Sequence, residues 1–168
     1  MSSFDLVTGG AGFIGSHVVR ALLEQGRQVR VIDNLLTGYK KNIEGLDIDF
    51  LESDLADHAA AHKSCQGVER VFHLAARPSV PWSIENPKLA YQANHQTTLS
   101  LIEAAKASGV RRIVFSSTSA LYGNDPTIPK RENMPQEPLS PYAEHKALGE
   151  QALQKACVDS DLSAVCLR

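Results

Sequence analysis

"VTGGAGFIGSH", Val7 to His17, leaves a short apolar run, "FDLVT", and enters a stretch with helical periodicity, "FIGSHVVRALLEQ". Glycines stand at 9, 12 and 15. At a strand-to-helix junction they have a physical use: one makes the tight turn, one lets backbone approach a pyrophosphate, and one packs helix on strand. The helix N-terminus then faces the anion. The spacing G-x-x-G-x-x-G is one residue longer than the G-x-G-x-x-G dinucleotide fingerprint, and glycines after a strand also serve as plain turns. The next apolar run, "QVRVID", ends in Asp33. That is about the distance downstream at which a carboxylate hydrogen-bonds the ribose 2′-hydroxyl of NAD and repels the 2′-phosphate of NADP. An aspartate ahead of Asn34 also suits an ordinary strand-end turn. Lys40 and Lys41 are either solvated loop charges or cations able to accept a 2′-phosphate. Strand, glycine turn, helix, strand and acid together point to a nucleotide site.

Outward from this unit the same alternation continues. "DIDFL", "RVFHL", "RRIVFSS" and "LSAVCL" read as further strands, with "ADHAAAHKSC", "PKLAYQANHQTTLSLIEAAKAS" and "YAEHKALGEQALQKAC" as helices between them. Near-continuous apolar strands alternating with helices predict a parallel sheet covered on both faces, a Rossmann-type doubly wound α/β fold. Gly26 and Gly109 fall at expected helix C-caps. From Asn124 to Pro141 the rhythm breaks, because Pro126, Pro129, Pro135, Pro138 and Pro141 suit neither strand nor helix. Such a long, stiff loop is either a crossover or a functional segment at the mouth of a site.

The 168 residues are expected to form one domain, 1–168, with a core needing neither disulfide nor metal. Seventeen Lys and Arg against nineteen Asp and Glu give no electrostatic case for nucleic acid or an anionic membrane. The N-terminus, Met1-Ser2-Ser3-Phe4-Asp5, has no basic region ahead of an apolar one, and no run is long enough to span a bilayer. The expected location is the cytoplasm. Cys65, Cys157 and Cys166 form no C-x-x-C and read as reduced, buried thiols.

In "SPYAEHKALGE" Tyr142 and Lys146 lie four apart, on one helical face. A free phenol has a pKa of about 10; a nearby ammonium and a cationic nicotinamide lower it, fitting Tyr142 to take a proton from a substrate hydroxyl during oxidation by NAD. The same pair is also common on ordinary helix surfaces. "VFSSTSALYG" places Ser116, Ser117, Thr118 and Ser119 at the carboxyl edge of the fifth strand, where open α/β sheets bind ligands, although such hydroxyls also cap helices and turns.

With "TGGAGFIGSH", "VIDNLLTG", "FHLAA", "SSTSALYG" and "SPYAEHK" in order over nearly the whole chain, the sequence resembles the extended short-chain dehydrogenase/reductase family, in its nucleotide-sugar epimerase/dehydratase branch. The resemblance implies that Gly9, Gly12, Phe13, Ile14 and Gly15 bind NAD, with Asp33, Asn34, Thr37 and Gly38 at its adenosine ribose. It implies Asp54 and Leu55 at the adenine, Leu74, Ala75 and Ala76 beside the nicotinamide ribose, and Asn94, Ser116, Tyr142 and Lys146 also against the coenzyme. The implied catalytic set is Thr118, Tyr142 and Lys146. Thr118 is followed by Ser119 and Ala120, where the family's dehydratases carry Asp-Glu and its decarboxylases Ser-Glu. The implied reaction is therefore 4-epimerisation, similar to that of enzymes acting on UDP-sugars such as UDP-glucose, by transient oxidation at C4. "ARPSVPWSIENP" resembles the branch's substrate-side loop, with Pro78 replacing a lysine and Thr97 replacing a glycine of some relatives. The resemblance also implies a homodimer formed through the helices of Asn94 and Tyr142.

No metal is expected: His58 and His62 share a helical face without a third ligand, and His17, His73 and His145 read as packed or hydrogen-bonded residues. In the resembling family "SAVCLR" runs on into a C-terminal lobe that grips the nucleotide-sugar. Three readings follow: a 4-epimerase in short or truncated form, an NAD-binding module without catalysis of its own, or another nucleotide-sugar oxidoreductase or dehydratase of the same family. An uncapped last strand is expected to expose apolar surface and drive self-association.

Overall fold

The computed structural model describes residues 3–168; Met1 and Ser2, the start of the stretch inspected for a leader, lie outside the described residues. Six parallel strands form one sheet in the order β3-β2-β1-β4-β5-β6. They are β1 (Phe4–Thr8), β2 (Gln28–Asp33), β3 (Asp49–Glu52), β4 (Val68–His73), β5 (Arg112–Ser116) and β6 (Ser163–Leu167). The sheet grows outward in both directions from the β1·β4 pair, so the crevice at the carboxyl ends of these two strands is the topological switch point. The chain has the Rossmann-type fold that its alternation predicts.

Side-chain alternation sorts the strands onto two faces. Leu6, Ile32, Val71, Ile113 and Phe115 face α2 (His58–Cys65), α5 (Thr97–Ser108) and α6 (Pro141–Val158), and this layer holds the larger core cluster. Val7, Val29 and Val31 face the other way and pack with Val19 and Leu22 of α1 (Phe13–Glu24). Val7 pairs in register with Phe72, Phe72 with Val114, and Val114 with Val165. Along that row the cover thins until Val165 is 49% exposed.

The helix starts are written locally. Asp57 caps α2 by accepting from Ala59 N and Ala60 N, and Ser140 caps α6 by accepting from Ala143 N, with Pro141 at the first helical position. Gly109 ends α5 in the left-handed conformation, φ 72°. Two features depart from the sequence reading. Val80–Glu85 is a short helix, α3, capped by Ser79, inside what reads as loop. The expected continuous helix over 87–108 is instead α4 (Pro87–Tyr91), a π-helical turn over Gln92–Gln96, and α5. Among the described residues, no helix is long and apolar enough to cross a membrane.

Candidate active site

The glycine turn is locked by close contact. Gly9 has φ 69°, and a Cβ there would stand 2.8 Å from Ala75 N; a Cβ on Gly15 would stand 2.2 Å from Gly9 O. The turn thus lies flush against the end of β4 on one side and the start of α1 on the other. Gly12 caps α1 with no side chain, leaving the N–H groups of Phe13, Ile14 and Gly15 without intrahelical partners. Phe13 is 80% exposed and Ile14 is also well exposed.

Asp33 clamps the turn to β2: its Oδ2 accepts from Ala11 N at 2.9 Å and its Oδ1 from Leu35 N at 2.8 Å. Each oxygen keeps a free lone pair. Asn34 donates through Nδ2 to Asp54 Oδ2 at 3.2 Å, bringing those two side chains together. The segment holding Thr37 and Gly38 folds back onto the turn. Tyr39 N and Asn42 Nδ2 both donate to Ala11 O, and a Cβ on Gly38 would lie 2.9 Å from the Ala11 carbonyl carbon. The Leu55 side chain is buried in the core, so only its backbone remains for a ligand. Leu74 N and Ala75 N donate to Thr8 Oγ1, fixing the Leu74–Ala76 segment beside Gly9. Asn94 sits buried in the π-helical turn; its Oδ1 accepts from Arg77 N at 2.8 Å, and its Nδ2 has no partner.

Thr118, Tyr142 and Lys146 come together at the carboxyl edge of β5. Thr118 begins a single 3-10 turn, its Oγ1 accepting from Ala120 N. Tyr142 occupies the first turn of α6, where its N–H donates to Ser83 Oγ of α3 at 3.2 Å. Burial raises the Tyr142 phenol above its usual value, while the neighbouring Thr118 hydroxyl works in the opposite direction. Lys146 is 2% exposed, and burial lowers its pKa to about 8. Its ammonium donates to Ser116 O at 2.8 Å and lies 4.6 Å from the Phe115 ring centre and 6.0 Å from that of Tyr142. The sequence-based expectation of a phenol made acidic by its lysine is not met by this arrangement alone. The lysine is engaged by a carbonyl, and desolvation of Tyr142 prevails.

Several participants escape a sequence reading. Glu150, one turn beyond Lys146, accepts from Ser117 Oγ, from Gln136 Nε2 at 3.1 Å and from Arg168 Nη2 at 2.7 Å. The proline-rich loop is thereby pinned to α6 beside the trio. Arg77 stacks on Trp82 at 3.9 Å. His73 links β1 to α5 through two threonine hydroxyls. No pattern in sequence foretells these links, because each joins residues brought together only by the fold. Among the described residues, no group of three or more His, Cys, Asp or Glu is placed to hold a metal; His58 instead lies 3.3 Å from a Glu103 carboxylate oxygen.

Comparison with known proteins agrees with this geometry: a family model described as the NAD dependent epimerase/dehydratase family matches residues 6–168. The chain belongs to that family. Among its members, UDP-glucose 4-epimerase of Lacticaseibacillus casei is 38% identical over 164 residues, 96% of this chain and 49% of that protein. The crystal structure of Thermus thermophilus UDP-glucose 4-epimerase in complex with NAD superposes with a TM-score of 0.92 at 40% identity, covering 98% of this chain and 54% of that one. The UDP-N-acetylglucosamine 4-epimerase of Methanobrevibacter ruminantium, in complex with UDP-N-acetylmuramic acid, gives 0.93 at 38% identity, covering 100% and 55%. The chain therefore spans about half the length of the family members it matches.

Proposed function

We propose that residues 1–168 form the coenzyme-binding and catalytic domain of an NAD-dependent UDP-sugar 4-epimerase. The observation that carries this reading is the convergence of Thr118, Tyr142 and Lys146 on the same sheet edge as the glycine turn. The residues present suit a dinucleotide. The unpartnered N–H groups at Phe13, Ile14 and Gly15 sit at the positive end of α1, with Gly9 and Gly12 offering bare backbone to a pyrophosphate. Asp33 keeps lone pairs for a ribose 2′-hydroxyl, with Asn34, Thr37 and Gly38 around it. Asp54 and the backbone of Leu55 would flank the adenine. Leu74, Ala75, Ala76, Asn94 and Ser116 would line the nicotinamide side. Bound NAD would supply the acceptor, and then the donor, of hydride at sugar C4.

The protein's part is the proton and the geometry. Tyr142 would take the proton of the C4 hydroxyl and return it to the opposite face of the keto sugar. Thr118, whose oxygen already accepts from Ala120 N, retains its hydroxyl hydrogen to orient that oxygen. Lys146 keeps two further N–H groups after donating to Ser116 O and lies close enough to favour a phenolate once the coenzyme's positive ring adds to its field. Similarity to UDP-sugar 4-epimerases supports UDP-sugars as the substrate class.

Half-length coverage favours a second reading, an NAD-binding module without turnover. UDP-glucose and UDP-N-acetylglucosamine should be tested with the 168-residue chain, alongside NAD titration. Epimerisation that falls at least about a hundredfold in Tyr142→Phe supports the first reading. NAD binding without epimerisation supports the second. Absence of both contradicts the coenzyme site. We further place the protein in the cytoplasm as a homodimer. Exposed Leu89, Tyr91 and Leu148 beside the Asn94 and Tyr142 helices support such an interface.

A further inference from the structure

Thr8, His73 and Thr98 are all buried and form one unbroken hydrogen-bonded chain whose proton positions follow by elimination. Thr98 Oγ1 lies 2.8 Å from Asn94 O, a group that only accepts, so the single Thr98 hydroxyl hydrogen is committed there. The 3.0 Å contact between Thr98 Oγ1 and His73 Nε2 must then be donated by the ring, which places a hydrogen on Nε2. On the other side Thr8 Oγ1 accepts from Ala75 N at 3.1 Å and shares the Leu74 N–H, 3.2 Å away, with the Thr8 carbonyl oxygen at 3.2 Å. Its hydrogen is free to go only to His73 Nδ1, 2.8 Å away. An imidazolium would turn Nδ1 into a donor and leave the buried Thr8 hydroxyl hydrogen without its acceptor. Burial, and secondarily the charge of Lys146, lowers the His73 pKa to about 3, in agreement with a neutral ring. The ring also stacks on Phe115, centres 5.4 Å apart, and Lys146 rests 4.6 Å from the centre of that same phenylalanine ring.

We propose that His73, held neutral with its proton on Nε2, is a positioning residue for the coenzyme. Through Thr8 it fixes the Leu74–Ala75 turn against Gly9. Through Thr98 it ties that turn to the helical turn of Asn94. The inference rests on NAD occupying this cleft, and its physical content is preorganisation: a surface already set does not have to be ordered when the ligand arrives.

The two links are separable. An asparagine at 73 places an oxygen near Nδ1 and keeps an acceptor for Thr8. A glutamine reaches toward Nε2, keeping a donor for Thr98 and leaving the Thr8 hydroxyl hydrogen unpaired. In the wild-type chain, nitrogen NMR should show a pyrrole-type Nε2 and a pyridine-type Nδ1 for His73. His73→Asn should retain a protected Ala75 amide, whose acceptor is Thr8 Oγ1, and NAD affinity within about threefold. His73→Gln should lose that protection and bind NAD about tenfold more weakly, the scale of one buried hydrogen-bonding group left unsatisfied. A residue that merely fills space would show no such split between the two variants. A wild-type ring protonated on Nδ1 or doubly protonated overturns the inference without needing any variant to fold, as does equal behaviour of the Asn and Gln chains. If the wild-type chain bound no NAD, the proposed function would fail. The ring protonation and amide protection would still decide whether the clamp exists.

Discussion

At the scale of single residues, the site places a cationic side chain where water cannot reach it. Lys146 is engaged by one carbonyl and one aromatic face, and its pKa near 8 measures the cost of keeping it charged there. Below that value the folded chain carries the full penalty. Between about 8 and the ordinary lysine value of 10.5 the unfolded chain binds more protons than the folded one, so this group makes stability rise with pH. Lys146→Met, of similar length and without charge, should therefore stabilise the fold by about 1–2 kcal/mol at pH 7, with a gain that shrinks as pH rises through that window. Urea unfolding at several pH values checks it; a less stable Met variant at pH 7 would show that the lysine's contacts outweigh its desolvation. In sequence, four-residue helical spacing pairs Tyr142 with Lys146 and strand-end position gathers four hydroxyls, both local signals, while the choice of Thr118 among those hydroxyls rests on the family resemblance. The partner that Lys146 takes, Ser116 O, is not, since it lies thirty positions away in the chain and is brought close by the packing of α6 on β5.

Among the elements, the first strand-turn-helix unit carries the most information. Gly15→Ala would push a methyl to 2.2 Å from Gly9 O and 2.7 Å from Gly10 Cα, both backbone atoms with no rotamer to yield. It should lose roughly 1–3 kcal/mol in chemical unfolding and abolish NAD binding. Gly26→Ala is the control: φ is 70° but nothing lies within 4 Å, so it should cost about 1 kcal/mol of left-handed strain and leave NAD binding intact. A Gly15→Ala chain that binds NAD normally would contradict the tight-turn account. The glycine spacing and the six strands are readable because each is encoded within a few neighbouring residues. The π-helical turn at Gln92–Gln96 is not, because one extra residue in a turn barely disturbs apolar periodicity. The α3 helix is hidden by Pro81, which reads as loop but here sits in the first turn of a helix. The role of His73 is hidden for a related reason: its partners, Thr8 and Thr98, are sixty-five and twenty-five residues away.

Across the sheet, two facts stand out: the switch point at β1 and β4 and the exposed apolar side chains of β6. Val165 and Leu167 are 49% and 56% exposed, on the sheet face that α1 covers only over β1 and β2. Apolar surface of this kind favours association. Light scattering at micromolar concentration should show species larger than one chain, and replacing both residues by serine should reduce them; a strictly monomeric parent chain would contradict this. The central claim concerns the other edge, where the coenzyme's positive ring and Lys146 together should overcome the burial that raises the Tyr142 phenol. Ultraviolet difference absorbance, recorded while NAD⁺ is added at about pH 7, below the Lys146 value of about 8 and far below the ordinary phenol value, tests it directly. A phenolate band that grows with NAD⁺ and is missing in Tyr142→Phe is the predicted result; no phenolate signal, or the same signal in Tyr142→Phe, would contradict the account.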